Sequence, residues 1–385
     1  MEKLMVQGYQ HAGWKHCWTT ALKNIFSYHG LNLSEEMLFG LGGGVGFIYW
    51  YLKLMPAPFI GTRYGKGVEP LINTCRRIGA QATVFQTGSV TRGYEELKKQ
   101  LRQDEPTLVF VDMPYLPYLA IPKNANFGGH TVIVFGLDEK NDKVYISDRC
   151  EKPVTIGIED LKKARSSKFP PFPPKNKLLK IKYPSKITNL EEGIIESIRE
   201  CCNSMLKPPI KNIGLAGMKK WVSLVPQWTK QFTGLNLIGC LFNIFLYIEI
   251  SGTGGSAFRK MYAKFLTEAS SILNKPTLKE TAEIFNESAE LWSEIATTAL
   301  PNSWARLKKI RSLAANKNRI FKEQKPNALD EMHRITTELD SLMQKAAQEL
   351  HSKRAYPLLA EIKQNILLCY EKEEKAFNKL NSVIN

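Results

Sequence analysis

The sequence lacks an uninterrupted apolar stretch long enough to cross a bilayer. Its most apolar run, Leu235 to Ile250, is interrupted by Asn236, Asn243 and Glu249 and reads as a buried helix. The first residues, Met1 to Gly8, contain no apolar signal core, so a cytosolic (cytoplasmic) protein is expected. Cysteine is sparse: seven residues, an odd number, with no spacing that suits a disulfide framework or a zinc site. Cys201 and Cys202 are adjacent and cannot chelate as a CxxC pair does. A reducing compartment is expected, with no structural metal and no cofactor. The loop Gly40-Leu41-Gly42-Gly43-Gly44-Val45-Gly46-Phe47 follows no strand and ends without Gly-Lys-Ser/Thr, so nucleotide binding is not expected of it. Its glycines suit a close backbone approach to a neighbour or a substrate, and Gly44 is taken as a candidate substrate contact.

Negative charge is also short. Asp and Glu number 37 against 53 Lys and Arg, a formal net charge of +16. A surplus of that size favours acidic partners: an acidic carrier protein, nucleic acid or an anionic membrane surface. The densest basic stretches, Lys175 to Lys186 and Arg306 to Lys322, do not interleave aromatics with glycine, so specific nucleic-acid recognition is not expected.

A chain of 385 residues suggests two or three domains. Residues 1–168 mix helix and strand signals: helices over Cys17 to Gly30, from Ser34 (an N-cap), over Val68 to Gly79 and over Thr91 to Gln103; strands over Ala80 to Phe85 and Pro106 to Asp112. Phe169-Pro-Pro-Phe-Pro-Pro174 is stiff and extended, and 169–187 reads as a Pro-rich linker. Residues 188–320 read as a helical domain and 321–385 as a helical hairpin, broken at Pro357, whose apolar positions advance in steps of three and four. The whole is α+β followed by an all-α region. A second glycine loop, Gly252 to Arg259, opens a helix, and Arg259 there is a candidate anion or substrate contact.

The chemistry lies in the first region. His16-Cys17-Trp18 begins a helix, so the Cys17 thiol sits at the positive end of the helix dipole, which favours thiolate. Two β-branched runs, His130 to Leu137 and Lys143 to Ser147, flank the polar turn Glu139-Lys140-Asn141-Asp142 as a hairpin. His130 opens the first strand and Asp148 follows the second, within about a pleat of each other. A thiol, an imidazole to take its proton and a carboxylate to orient the imidazole form the layout of a papain-like cysteine site.

Several blocks carry a more specific likeness. His16-Cys17-Trp18 through Leu33-Ser34-Glu35, Leu38-Phe39-Gly40, Gly44-Val45-Gly46-Phe47, Asp112 to Tyr118 and Gly129-His130-Thr131-Val132 resemble the N-terminal domain of the butirosin biosynthesis protein H family. Phe258-Arg259-Lys260-Met261-Tyr262 resembles the helical domain of unknown function (DUF4872) that commonly follows it, and the likeness spans roughly residues 8–300. It implies a papain-like fold and transfer of an acyl group from the pantetheine thioester of a carrier protein to an amine. Cys17 would then be nucleophile, His130 base and Asp148 orienting acid. Asp148 stands where papain-type enzymes carry Asn, and His11 where they carry the oxyanion Gln, so Gln10 and Gln7 become the candidate oxyanion donors. Asp112 and Tyr118 are further candidate substrate contacts, Asp112 for an acceptor amine. The donor would be phosphopantetheine-linked, and no other cofactor is implied. The competing readings are a cysteine peptidase or amidase, and an inactive papain-like scaffold that docks a partner.

Overall fold

Val, Ile, Leu and Phe dominate the segments Thr107–Val111 and His130–Asp138, and both are buried along their whole length. A strand buried on both faces is the centre of a sheet, and the rest of the region assembles around it. The computed structural model describes residues 2–53, 55–63 and 67–384. Its strands are β1 (Lys3–Met5), β2 (Ile48–Trp50), β3 (Phe59–Gly61), β4 (Gln81–Phe85), β5 (Thr107–Val111), β6 (His130–Asp138), β7 (Lys143–Ser147), β8 (Val154–Ile156) and β9 (Leu178–Lys182). The chain divides into two units, one of residues 1–38, 67–189 and 319–334, the other of 39–66, 190–318 and 335–385.

In the first unit the sheet runs β4-β9-β5-β6-β7-β8, with β1 added to β6, and every pairing is antiparallel. β5 covers the His130 end of β6 and β1 covers its Asp138 end. Helices α1 (Cys17–Tyr28), α2 (Glu35–Leu41), α3 (Glu69–Arg77), α4 (Val90–Arg102) and α5 (Ile158–Ser166) accompany this sheet in sequence. The expected helices, central strands and hairpin are all present, their ends shifted by a residue or two. Ser34 caps α2 as its sequence suggests, its Oγ accepting the Met37 amide at 2.9 Å.

The proline stretch is not a linker. Leu178–Lys182 is β9, inserted between β4 and β5 with five residues in register on β4. The turn before it is fastened as well: Asn176 N donates to the Arg165 carbonyl and Thr87 N to that of Lys175. The prolines stiffen a crossing that returns the chain to its own sheet.

The second unit is helical apart from the two-stranded ribbon β2-β3. It holds α6 (Leu190–Leu206), α7 (Gly214–Leu224), α8 (Trp228–Gln231), α9 (Gly234–Phe245), α10 (Arg259–Ile272), α11 (Pro276–Ala299), most of α12 (Ala305–Glu323) and α13 (Ala328–Glu349), and all of α14 (Ser352–Ile384). Its core centres on Phe47, Trp221 and Trp292, whose rings lie 5.7–6.0 Å apart. Pro357 does not break the last two helices. It rides inside α14, near that helix's start, and the turn falls at Leu350 and His351. Residues 319–334 belong to the first unit, so the boundary expected near 320 is crossed by the chain again near 334. Among the described residues, no helix is long and apolar enough to cross a membrane.

Candidate active site

Cys17 is the first residue of α1, so its amide is one of the donors that the helix leaves without an internal partner. The loop before it is held by two anchors. Glu35, 1% exposed, uses one carboxylate oxygen to accept the amides of Lys15 and His16, both at 2.9 Å, and the Thr19 hydroxyl at 2.8 Å. His11 spans to the far side: the Ser147 hydroxyl donates to Nδ1 at 2.6 Å, and Nε2–H donates to the Cys150 carbonyl at 2.8 Å. Gly13 lies so close to the segment after β7 that an added Cβ would sit 2.0 Å from the Cys150 oxygen.

β6 and β7 supply the partners. Ile133 is registered on Ser147, which places Asp148 diagonally from His130 on the same face of the hairpin. The imidazole Nε2–H donates to Asp148 Oδ2 at 2.8 Å, both side chains being almost fully buried. That leaves Nδ1 as the ring nitrogen not taken by Asp148, and His130 lies near enough to Cys17 to act on its thiol. Trp18 Nε1–H donates to the Gly129 carbonyl at 3.2 Å, tying the nucleophile's helix to the residue before His130.

Three charges then settle one another. Burial alone would raise the Cys17 pKa, but the hydrogen bond and charge of His130, with Arg149 and the Thr131 amide, outweigh it and hold it below an ordinary thiol. Burial would likewise lower the His130 pKa, yet Asp148 and Cys17 lift it to about 9. For Asp148, burial is overcome by His130 and Arg149, leaving its pKa at about 2. These shifts move the pair in the direction of thiolate and imidazolium, braced by a carboxylate.

Tyr118 belongs to this constellation, as a neighbour of Asp148. Its buried hydroxyl donates to Asp148 Oδ2 at 2.9 Å. The remaining candidates are engaged elsewhere. Asp112 accepts from Asn126 Nδ2, the Phe127 amide and the Ser167 hydroxyl, at 2.6–2.8 Å, which makes it a buried knot for the 112–127 loop and leaves no vacant oxygen for an amine. Gln7 is exposed and its side-chain amide donates to the Met5 carbonyl at 3.1 Å; Gln10 is exposed too, and neither is joined to Cys17. Gly44 and Arg259 lie in the second unit. Gly44, at φ +63°, admits the Tyr262 ring, which an added Cβ would meet at 2.4 Å. Arg259 is wholly buried on Glu373, at 2.7 and 2.9 Å, so the anion it holds is part of the protein.

Sequence reasoning missed Glu35 and Arg149. Glu35 was visible as a helix-start acid after Ser34, but not as the anchor of a loop some twenty residues away in the chain. Arg149 directly follows Asp148, which was its only signal. Among the described residues, no group of three or more His, Cys, Asp and Glu side chains is placed to hold a metal ion.

No curated protein matches the sequence. Two family models do: residues 16–149 match the N-terminal region of butirosin biosynthesis protein H, and residues 159–325 match the domain of unknown function DUF4872. The first match contains Cys17, His130 and Asp148, and it also takes in residues 39–66 of the second structural unit. The chain therefore carries a butirosin biosynthesis protein H-type N-terminal domain followed by a DUF4872 domain.

Proposed function

We propose that this protein is a papain-like cysteine acyltransferase that takes an acyl group from a thioester onto Cys17 and passes it to an amine. The observation that carries this reading is a thiol, Cys17, on a helix start and under the influence of His130, whose imidazole is fixed by a buried carboxylate. The match to the N-terminal region of butirosin biosynthesis protein H supports a biosynthetic role over a digestive one.

The chemistry follows from that line. Cys17 Sγ attacks the donor carbonyl carbon, and the carbonyl electron pair moves to oxygen, towards the positive N-terminal end of α1 and the Cys17 amide. The oxyanion collapses, the donor sulfur leaves, and His130 Nδ1–H protonates it. An amine then attacks the Cys17 thioester, His130 takes the amine proton, and the Cys17 thiolate departs. A thioester donor suits the first half because one thiol replaces another, and the basic surface suits an acidic carrier of the donor.

Incubation with an N-acetylcysteamine acyl thioester, followed by mass spectrometry of the intact protein, tests the proposal. The expected result is one acyl mass on Cys17, lost in Cys17→Ala while the fold is kept, and discharged faster when primary amines are added. Discharge to water at a rate that amines do not change would make the protein a hydrolase. Full acylation of Cys17→Ala would remove the site assignment.

A further inference from the structure

Arg149 has no role in the steps above beyond its charge, and its surroundings are unusual. It follows Asp148, and its side chain is 9% exposed. The guanidinium lies over the Phe321 ring, 5.1 Å from its centre. Its Nε is buried without a hydrogen-bond partner among the described residues and stands 4.0 Å from Asp148 Oδ1. Asp148 does not turn towards it, because His130, Tyr118 and the Arg149 amide already donate to that carboxylate. A buried guanidinium N–H with no acceptor is costly and suits an acceptor that arrives with a ligand.

A second cation lies on the segment that Arg149 packs against. The Glu151 amide donates to the Lys322 carbonyl at 2.8 Å and Arg149 stacks on Phe321, so residues 149–151 and 321–322 form one wall. Lys322 is half-buried, and burial together with repulsion from Arg149 and Lys15 lowers its pKa against the pull of Glu35. Of the other charges here, Lys15 pairs with Glu36 at 2.8 Å, Asp148 with His130, and Glu35 holds the Cys17 loop through Oε1, its buried Oε2 having no hydrogen-bond partner among the described residues. The charge of Arg149 is felt at Cys17 itself.

We infer that Arg149 and Lys322 form a cationic subsite beside Cys17 that receives an anionic group, a carboxylate or a phosphate, carried by the substrate. The inference rests on Cys17 being the reacting thiol and adds the class of substrate it accepts. A guanidinium presents paired donors to planar or tetrahedral oxyanions, and a neighbouring ammonium adds charge without fixed geometry.

Two alkylating reagents of nearly equal size test it on the full chain: iodoacetate, which is anionic, and iodoacetamide, which is neutral. Both need thiolate, so the ratio of their rates at Cys17, located by mass spectrometry, is independent of how much thiolate is present. The expected ratio exceeds that of a blocked cysteine peptide by about fivefold, the order of a partly screened charge contact. It should fall towards the peptide value in Arg149→Gln and, separately, in Lys322→Gln, a half-exposed position whose change leaves the Asp148 contacts alone. Stronger protection against iodoacetate by inorganic phosphate than by acetate would name a phosphoryl group; the reverse would name a carboxylate. A wild-type ratio equal to the peptide's, or one that neither substitution lowers, overturns the subsite. A raised ratio on a thiol of ordinary pKa would sustain the subsite while removing the nucleophile assignment.

Discussion

The Tyr118 hydroxyl donates to Asp148 Oδ2, the same oxygen that receives His130 Nε2–H, at 2.9 and 2.8 Å. One carboxylate oxygen thus fixes an imidazole and is itself fixed by a buried phenol. Tyr118→Phe removes the second donor and nothing else of that size. A hydrogen bond to a charged acceptor is worth about 1.5–3 kcal/mol. Denaturant unfolding should show a loss near the lower end of that range, because Asp148 retains two donors. Iodoacetamide labelling of Cys17 should slow several-fold, but less than in His130→Ala. Labelling slowed as far as in His130→Ala would place Tyr118 in direct contact with the reacting atoms.

Asp148 gives the pH prediction. Its folded pKa of about 2 lies below the unfolded value of about 3.9. A depressed carboxylate contributes stability that is complete above the unfolded pKa and lost as pH falls through the folded one. A shift of nearly two units corresponds to roughly 2.6 kcal/mol. Wild type should therefore lose its advantage over Asp148→Asn between about pH 4 and pH 2, and the gap should be constant from pH 5 to 6. Urea titrations at fixed pH steps measure this. A gap that persists unchanged at pH 2 would mean that the ionised carboxylate is not what stabilises the fold.

Glu35 offers a separate handle on the nucleophile loop. Its Oε1 collects three donors that flank Cys17, and burial raises its pKa. Glu35→Gln keeps a carbonyl oxygen able to accept; Glu35→Ala leaves the Lys15 and His16 amides without it. Alkylation of Cys17 should fall by about tenfold or more in Glu35→Ala, since small misplacement of a reacting group is costly. Glu35→Gln should recover most of the rate. Equal losses in both would show that the charge of Glu35, and not its position, matters.

How legible this was in the sequence differs by residue. Cys17, His130 and Asp148 were readable because helix period, strand alternation and turn chemistry are local signals, and a hairpin converts sequence offset into distance. β9 was unreadable for the opposite reason. Its five residues follow a run of prolines, and only pairing with β4 and β5, some 70 to 100 residues earlier, makes them a strand. Asp112 sat at a strand end as expected, but its three donors come from segments that no local pattern links to it. Glycine loops were recognised as places of close approach, yet sequence cannot say what approaches: at Gly44 it is the Tyr262 ring.

Arg259 illustrates the same limit and yields the last prediction. The loop before it suggested an anion site, and an anion is there, as Glu373 from α14. Glu373 also accepts from Trp292 Nε1 at 2.6 Å and from Ser288 at 2.9 Å, while Arg259 reaches the carbonyls of Thr62, Ala257 and Gly46. Removing one partner of a fully buried pair leaves the other charge in an apolar core, at a cost of about 3–5 kcal/mol. Glu373→Ala should destabilise the protein by that amount, seen as a lower denaturation midpoint. Replacing both Arg259 and Glu373 with Met should recover only part of the loss, because three carbonyls, a tryptophan N–H and a serine hydroxyl lose partners that Met cannot replace. Arg259→Lys loses the paired contact and should also destabilise. A stable Arg259→Lys variant whose acyl transfer shows only a raised KM would return Arg259 to the substrate.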